Sequence, residues 1–438
     1  MLFRRGPLLL FPMNRVGFIP PGEQGEQISV RRVWRLLEQA LADEFELVRC
    51  PSCDPAAPGD PVWRAFVEGV EAVVLPQPIR VDRSAAPRKP FLHLALGVLP
   101  LGALRFLRML ADLRSVDSIL VSCRSDQVIL EQVFPQREIG VSFLPFGVDV
   151  EVFRPRSEPA RTATRAAYRL GPADRVLACA GRLTRPKNIH LLLDMLTALR
   201  PEFPAIRLVI AGAPDPLDRE AVAYRAELEA RAREQGLGNT VIYAGPLDDE
   251  PLAELLSAAD VFVTATVNRD ENFGFAAVEA MACGLPVVGT AWGGLKDTIA
   301  PGENGFLMAT RVTDSEVWVD VPAGIAAIRR LLAEDSLRRR MAAASGRRAR
   351  AFYGKERFRV RVGEVVRDTW RRAARLEQSI PGTRFELHPR AMEALIYSEL
   401  GLKMNWYDRP GGFVPEDSVV RRFFMGPYAS SPDTGPAG

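Results

Sequence analysis

Short apolar runs alternate with amphipathic stretches along the first third of the chain, as when strands and helices take turns. Leu8–Met13 reads as a buried first strand, followed by a Gly/Pro loop through Gly25. Ile28–Ala42 predicts a helix with Val30, Val33, Leu36, Leu37 and Ala40 near one face. Strands are then expected at Phe45–Val48, Ala72–Leu75, Phe91–Leu96, Ser118–Val121 and Ser142–Leu144. A polar, Pro- and Arg-rich stretch from Pro155 to Pro172 interrupts the pattern and reads as a linker. A second series follows. Its expected strands are Val176–Ala180, Arg207–Ala211, Val241–Ala244, Val261–Thr264 and Pro286–Gly289. Its expected helices are His190–Leu199, Leu217–Gln235 and Glu250–Ala258.

Such alternation argues parallel sheets with helices on both faces. The fold class expected is α/β, with two Rossmann-like, doubly wound domains facing across a cleft. They are assigned to residues 1–155 and 173–355, with 156–172 as linker. Residues 356–400 are expected to form helices that cross back to the first domain, Leu387–Leu400 among them. The tail at 401–438, rich in Pro, Gly and Ser, is expected to be partly disordered.

Length agrees with two domains, since 438 residues exceed one ordinary core. A formal net charge of +3 is too near neutral to suggest nucleic acid as a partner. Five Cys do not make a disulfide framework. Cys50 and Cys53 form a C-x-x-C, but a zinc site would need a second pair or His ligands at matching spacing, so no metal is expected there. Phe91–Leu107 is the most apolar run and is broken by His93, Gly97, Pro100, Gly102 and Arg105, so no spanning helix is expected. The first residues mimic a signal peptide only weakly, and the setting expected is cytoplasmic.

Chemistry gathers where the strands of the second series end. After Ala180 come Gly181, Arg182 and Lys187, two cations five positions apart before a helix start, a ready anion site. After Thr264 comes E-N-F-G-F-A-A-V-E-A-M-A-C-G-L-P-V-V, in which Glu271 and Glu279 stand eight positions apart. Glu279 is the only charged residue between Glu271 and Lys296. A lone carboxylate in so apolar a run is costly to bury unless something hydrogen-bonds it. Gly274 permits close backbone approach, and the helix start behind Asn272 and Phe273 offers free N–H groups. Trp292, Gly293 and Gly294 form another glycine turn after the next strand.

G-R-L-x-x-x-K-N together with the Glu271–Glu279 segment resembles the retaining nucleotide-sugar glycosyltransferases of family 4, which have the GT-B fold. P-F-G-V-D-V-E-V-F-R-P from Pro145 resembles the hinge of that family. A-G-P-L-D-D-E-P-L-A-E-L-L-S-A-A-D-V-F-V from Ala244 resembles its nucleobase-side turn and helix. The resemblance covers Val176–Thr298 closely and the rest of the two domains loosely. It implies that Arg182 and Lys187 neutralise the donor diphosphate, Glu271 holds hydroxyls of the transferred sugar and Glu279 binds the ribose. Gly181, Asn272, Phe273, Gly274 and Phe275 would border the phosphates, and Gly245, Pro246 and Leu247 the base. His93 occupies a place like that of the family's first-domain active-site His; the alternative is a satisfied residue at a strand end.

The activity implied is a retaining, metal-independent hexosyl transfer in a bacterial, cytoplasmic setting. A UDP- or GDP-sugar would be co-substrate, a small molecule, glycan or lipid the acceptor, with no cofactor. No Asp-x-Asp metal motif is present. Two stretches depart from the pattern. The family's Gly-Gly loop reads here N-R-V-G-F-I-P-P-G-E-Q-G-E-Q, where Gly22 and Gly25 stand in, and the tail beyond Ile380 has no counterpart. Arg31, Arg32, Trp34 and Arg35 on the following helix read either as a solvated face or as a peripheral contact with an anionic membrane or a phosphorylated acceptor. The alternative to an enzyme is a non-catalytic nucleotide-sugar-binding protein on the same fold. A nicotinamide-dependent oxidoreductase is disfavoured by the lack of G-x-G-x-x-G after a first strand.

Overall fold

The computed structural model describes residues 14–20, 28–76, 79–96, 113–133, 139–216, 218, 220–268, 271–312 and 317–376. The first domain runs β1 (Arg15–Phe18), α1 (Ile28–Glu44), β2 (Glu46–Arg49), α2 (Pro61–Glu68), β3 (Ala72–Leu75), β4 (Phe91–Ala95), β5 (Ser118–Val121), α3 (Arg124–Val133) and β6 (Gly140–Phe143). Its six strands are parallel, in the order β2-β1-β3-β4-β5-β6. Val33, Trp34, Leu37, Ala40 and Leu41 of α1 are buried, the stripe that a 3.6-residue period lays along one face. Helix α2 starts where Asp60 accepts the N–H groups of Val62 and Trp63 at 2.8 and 2.9 Å, with Pro61 in the first turn.

The second domain holds α4 (Glu158–Ala167), β7 (Arg175–Ala180), a 3₁₀ turn at Arg185–Lys187, α5 (Ile189–Leu199), β8 (Ile206–Ala211), α6 (Ala221–Glu234), β9 (Val241–Gly245), α7 (Asp249–Ala258) and β10 (Val261–Thr264). It continues with α8 (Phe275–Ala282), β11 (Val287–Thr290), α9 (Leu295–Thr298), β12 (Gly305–Met308), the β13–β14 pair (Thr310–Val312, Val317–Val319), α10 (Val321–Ala333) and α11 (Asp335–Tyr353). Its parallel sheet has the order β12-β11-β10-β7-β8-β9. The chain builds outward from β7 in one direction and then, with β10, in the other. The crevice beyond the ends of β7 and β10 is therefore the topological switch point, where ligands bind in such sheets.

Two places join the domains. At the crossover, Val148 donates to the Tyr353 carbonyl at 2.6 Å and Lys355 donates to the Val148 carbonyl at 3.1 Å. Helix α12 (Lys355–Arg375) then runs back along the first domain. Arg367 meets Glu44 of α1 at 2.7 Å, Arg359 pairs with the same carboxylate, and Thr369 shares a 2.9 Å hydroxyl contact with Ser118 of β5. Across the cleft, the Phe146 ring stacks on Phe275 at 5.7 Å, and Ser122 donates to the Asn272 carbonyl at 3.1 Å.

Three expectations change. The segment read as a Gly/Pro loop contains β1 at Arg15–Phe18, while Leu8–Met13 lies outside the described residues. Val16, Phe18 and Ile19 are buried, and Gly17 takes a position where a Cβ would lie 2.7 Å from the Phe66 ring. The Pro155–Pro172 stretch carries helix α4, whose Arg165 reaches the Ala258 carbonyl at 2.9 Å. Trp34 is not part of an exposed docking face. It is buried, and its indole N–H donates to the Pro76 carbonyl at 2.9 Å. Cys50 and Cys53 are free thiols with sulfurs 3.5 Å apart. The segments expected at Leu387–Leu400 and 401–438 fall outside the described residues. Among the described residues no helix is long and apolar enough to cross a membrane.

Candidate active site

Two loops meet at the switch point of the second sheet. The loop after β7 carries Gly181, Arg182 and Lys187; the loop after β10 carries Thr266, Asn268 and Glu271. They are tied by Val267 N–H to the Pro186 carbonyl at 2.8 Å and by the Asn188 amide to the Ala265 carbonyl at 3.0 Å. This knitting brings Lys187 Nζ to 2.5 Å from Glu271 Oε2. The same carboxylate oxygen accepts the Thr266 hydroxyl at 3.2 Å. Arg182 is paired with Asp215, a buried residue beyond the end of β8.

Helix α8 starts immediately behind this pair. Gly274 is its N-cap in the left-handed region (φ 84), which glycine adopts without strain, and no side chain caps the helix. The first N–H groups, from Phe275 onward, thus remain available to an anion. Phe273 is buried, and Asn272 is half-buried. The next glycine turn closes on the site from the other side: Gly294 N–H donates to the Glu271 carbonyl at 2.8 Å, and the Trp292 indole donates to the Asn268 carbonyl at 2.7 Å.

Glu279 lies one turn further along α8, its side chain 5% exposed. It accepts a 2.6 Å bond from Arg32 Nη1 of α1. Burial pushes its carboxyl above the ordinary range; Arg32 pulls it back, and Asp249 adds a smaller upward push. Gly245 closes β9 with φ 75, and its carbonyl accepts Gly212 N–H at 2.7 Å. Pro246 is exposed and Leu247 half-buried in the turn leading to α7.

The structure thus gathers Gly181, Arg182, Lys187, Glu271, Asn272, Phe273, Gly274, Phe275 and Glu279 around one sheet edge, with Gly245–Leu247 at the end of β9. Gly22 lies outside the described residues. His93 stands two residues before the end of β4, 1% exposed, its ring 6.5 Å from that of Phe91. Neither ring nitrogen has a hydrogen-bond partner among the described residues, and burial, with Arg83 nearby, lowers its pKa to about 3. Asp215 and Thr266 escaped sequence reasoning, and Arg32, read as part of a solvated or membrane-facing side of its helix, is instead half-buried against Glu279. Asp215 sits in A-G-A-P-D at a strand's carboxyl end, a placement that could have flagged it. Thr266 follows β10 with no motif to mark it. Arg32 lies 247 positions from Glu279, and no local pattern signals the contact.

The arrangement sets two cations, Arg182 paired with Asp215 and Lys187 paired with Glu271, beside an uncapped helix start that can meet a polyanion. Residues 160–348 match the family described as Glycosyl transferases group 1. The D-inositol 3-phosphate glycosyltransferase of Corynebacterium urealyticum is 31% identical over 230 residues, covering 52% of this chain and 51% of its own. The mannosylfructose-phosphate synthase of Agrobacterium fabrum is 31% identical over 193 residues, covering 44% and 42%. The matched part of the chain spans about half the length of these curated relatives. Among solved structures, sucrose-phosphate synthase from Thermosynechococcus elongatus aligns over 82% of this chain and 99% of its own, with a TM-score of 0.58 and 22% identity. HepE of Anabaena in complex with UDP-glucose aligns over 81% and 99%, with a TM-score of 0.60 and 16% identity. The architecture is GT-B, and the second domain is the part of the chain that matches the glycosyl transferases group 1 family.

Proposed function

We propose that the protein is a retaining glycosyltransferase that moves a hexose from a nucleotide-diphosphate sugar to a hydroxyl acceptor. The observation that carries this reading is the convergence of Arg182, Lys187, Glu271 and the uncapped start of α8 at the switch point of the second sheet. The diphosphate meets Arg182, Lys187 and the N–H groups at the head of α8. Glu271 faces the hydroxyls of the transferred sugar, and Glu279 the ribose, with the base against Gly245–Leu247. The acceptor enters from the first domain, where His93, held neutral by burial, offers a hydrogen bond rather than a charge near the transferred sugar.

In the reaction the acceptor oxygen forms a bond to the anomeric carbon as the bond from that carbon to the phosphate oxygen breaks. Attack comes from the face the leaving group departs, and the leaving phosphate takes the acceptor proton. Arg182 and Lys187 stabilise the charge that builds on the diphosphate, so electrostatics carries most of the work. The two carboxylates bind hydroxyls and are not the acid/base pair of a hydrolase. The reading includes no essential metal.

HepE was solved with UDP-glucose, so UDP-sugars come first in a donor screen, followed by GDP- and ADP-sugars. The test is release of nucleoside diphosphate in the presence of an acceptor panel, with the product's anomeric configuration read by NMR. Retained configuration supports the proposal. Binding of a donor without turnover across the panel points to a sensor instead, and an inverted product overturns the mechanism.

A further inference from the structure

Arg32 is the one residue of α1 that forms an ion pair with the second domain among the described residues. Its guanidinium is 2.6 Å from Glu279 and 3.8 Å from Asp249 at the start of α7. It lies over the rings of Phe275 and Phe153, at 5.3 and 5.7 Å from their centroids. Two carboxylates and two aromatic faces therefore hold it, and every one of them lies beyond the last strand of the first domain. Arg suits such a place because its planar cation both stacks and hydrogen-bonds.

The contact matters for what Glu279 can accept. A carboxylate offers about four lone-pair sites. Arg32 bonds one oxygen, Oε1, and leaves acceptor capacity for a vicinal diol. Without a cation at that depth the carboxyl would favour its protonated form, which has less acceptor capacity. The neighbouring Phe275 also begins the helix whose N–H groups face the phosphates.

We infer that Arg32 is a positioning residue, contributed by the first domain, that completes the ribose site at Glu279 and so couples nucleotide binding to closure of the two domains. The inference rests on the donor reading of Glu279. A nucleotide that binds better when Arg32 is in place binds the closed arrangement better, and by linkage it favours closure.

The test uses the full chain with UDP, GDP and ADP as probes. Affinity is read by calorimetry, and hydrogen exchange is followed over residues 28–44. In the wild type the nucleotide that binds slows exchange in α1, although α1 belongs to the other domain. Arg32→Ala loses that protection and binds roughly tenfold more weakly, the scale of an ordinary coupling between sites. Arg32→Lys recovers part of both, and Arg31→Ala, an exposed neighbour, behaves as wild type. Equal affinity and equal protection in Arg32→Ala overturn this inference alone. Binding of none of the three nucleotides by the wild type overturns the donor reading and the inference with it.

Discussion

Lys187 and Glu271 are 2.5 Å apart and only 20% and 12% exposed, so each screens the other's charge from the cleft. In the proposed reaction Lys187 turns to the diphosphate, and its pairing with Glu271 sets where its ammonium stands. Lys187→Ala is expected to lower turnover at saturating donor by at least ~100-fold, the scale of losing one electrostatic stabiliser. Release of nucleoside diphosphate in single-turnover assays checks this, and turnover within a few fold of wild type removes Lys187 from the mechanism. His93 makes a second prediction, about stability. Its folded pKa of about 3 lies below the value of an ordinary imidazole, so between roughly pH 6.5 and 3 the unfolded chain binds the extra proton. Its contribution is therefore full above pH 6.5 and is lost as pH falls. Over that window His93→Leu should flatten the acid arm of the urea-unfolding free energy by up to about 1.4 kcal/mol per pH unit. An unchanged slope contradicts the neutral, buried state. At this scale the sequence made Glu279 conspicuous, because no other charge stands near it in the chain. Its partner Arg32 was out of reach, because an apolar helix says that a carboxylate needs a partner and not which distant helix supplies it.

Helix α8 depends on two loops approaching more closely than side chains allow. A Cβ on Gly294 would lie 2.5 Å from backbone atoms of Asn272 and Phe273, and backbone cannot swing aside as a side-chain tip can. Gly294→Ala is expected to separate the loops and weaken nucleotide-diphosphate binding at least roughly tenfold, with a stability loss of about 1–3 kcal/mol from overpacking. Calorimetry and denaturant unfolding measure the two, and wild-type binding would show that the loop contact does not shape the site. Strands such as Ala72–Leu75, Ser118–Val121 and Val261–Thr264 appear with the bounds their apolar runs predict, because buried parallel strands are continuous in β-branched and aliphatic residues. β1 was hidden for the opposite reason. Its four residues include an Arg and a Gly and run on toward two prolines, so loop signals outweighed the alternation of Val16 and Phe18. Helix α4 was hidden because it buries little besides Arg165, and its apolar side chains are a proline and alanines, too small to mark a core-facing stripe.

At the scale of the molecule, α12 holds the first domain through Glu44, Ser118 and the carbonyls of Ser115 and Asp117. The two-domain architecture was legible from the repeated βα alternation alone. The particular residues that join the domains were not, because contacts such as Phe146 on Phe275 and Arg32 on Glu279 link remote parts of the chain. In the proposed function one nucleotide-diphosphate sugar lies along the switch-point edge of the second sheet, with its ribose on Glu279 and its diphosphate on Arg182 and Lys187. Calorimetric titration of the wild type and Glu279→Ala with UDP, GDP and ADP tests it most directly. One site per chain for at least one of the three, with affinity reduced tenfold or more in Glu279→Ala, is the result expected. Binding that the substitution leaves unchanged, or no binding of any of the three by the wild type, would contradict a nucleotide site at Glu279.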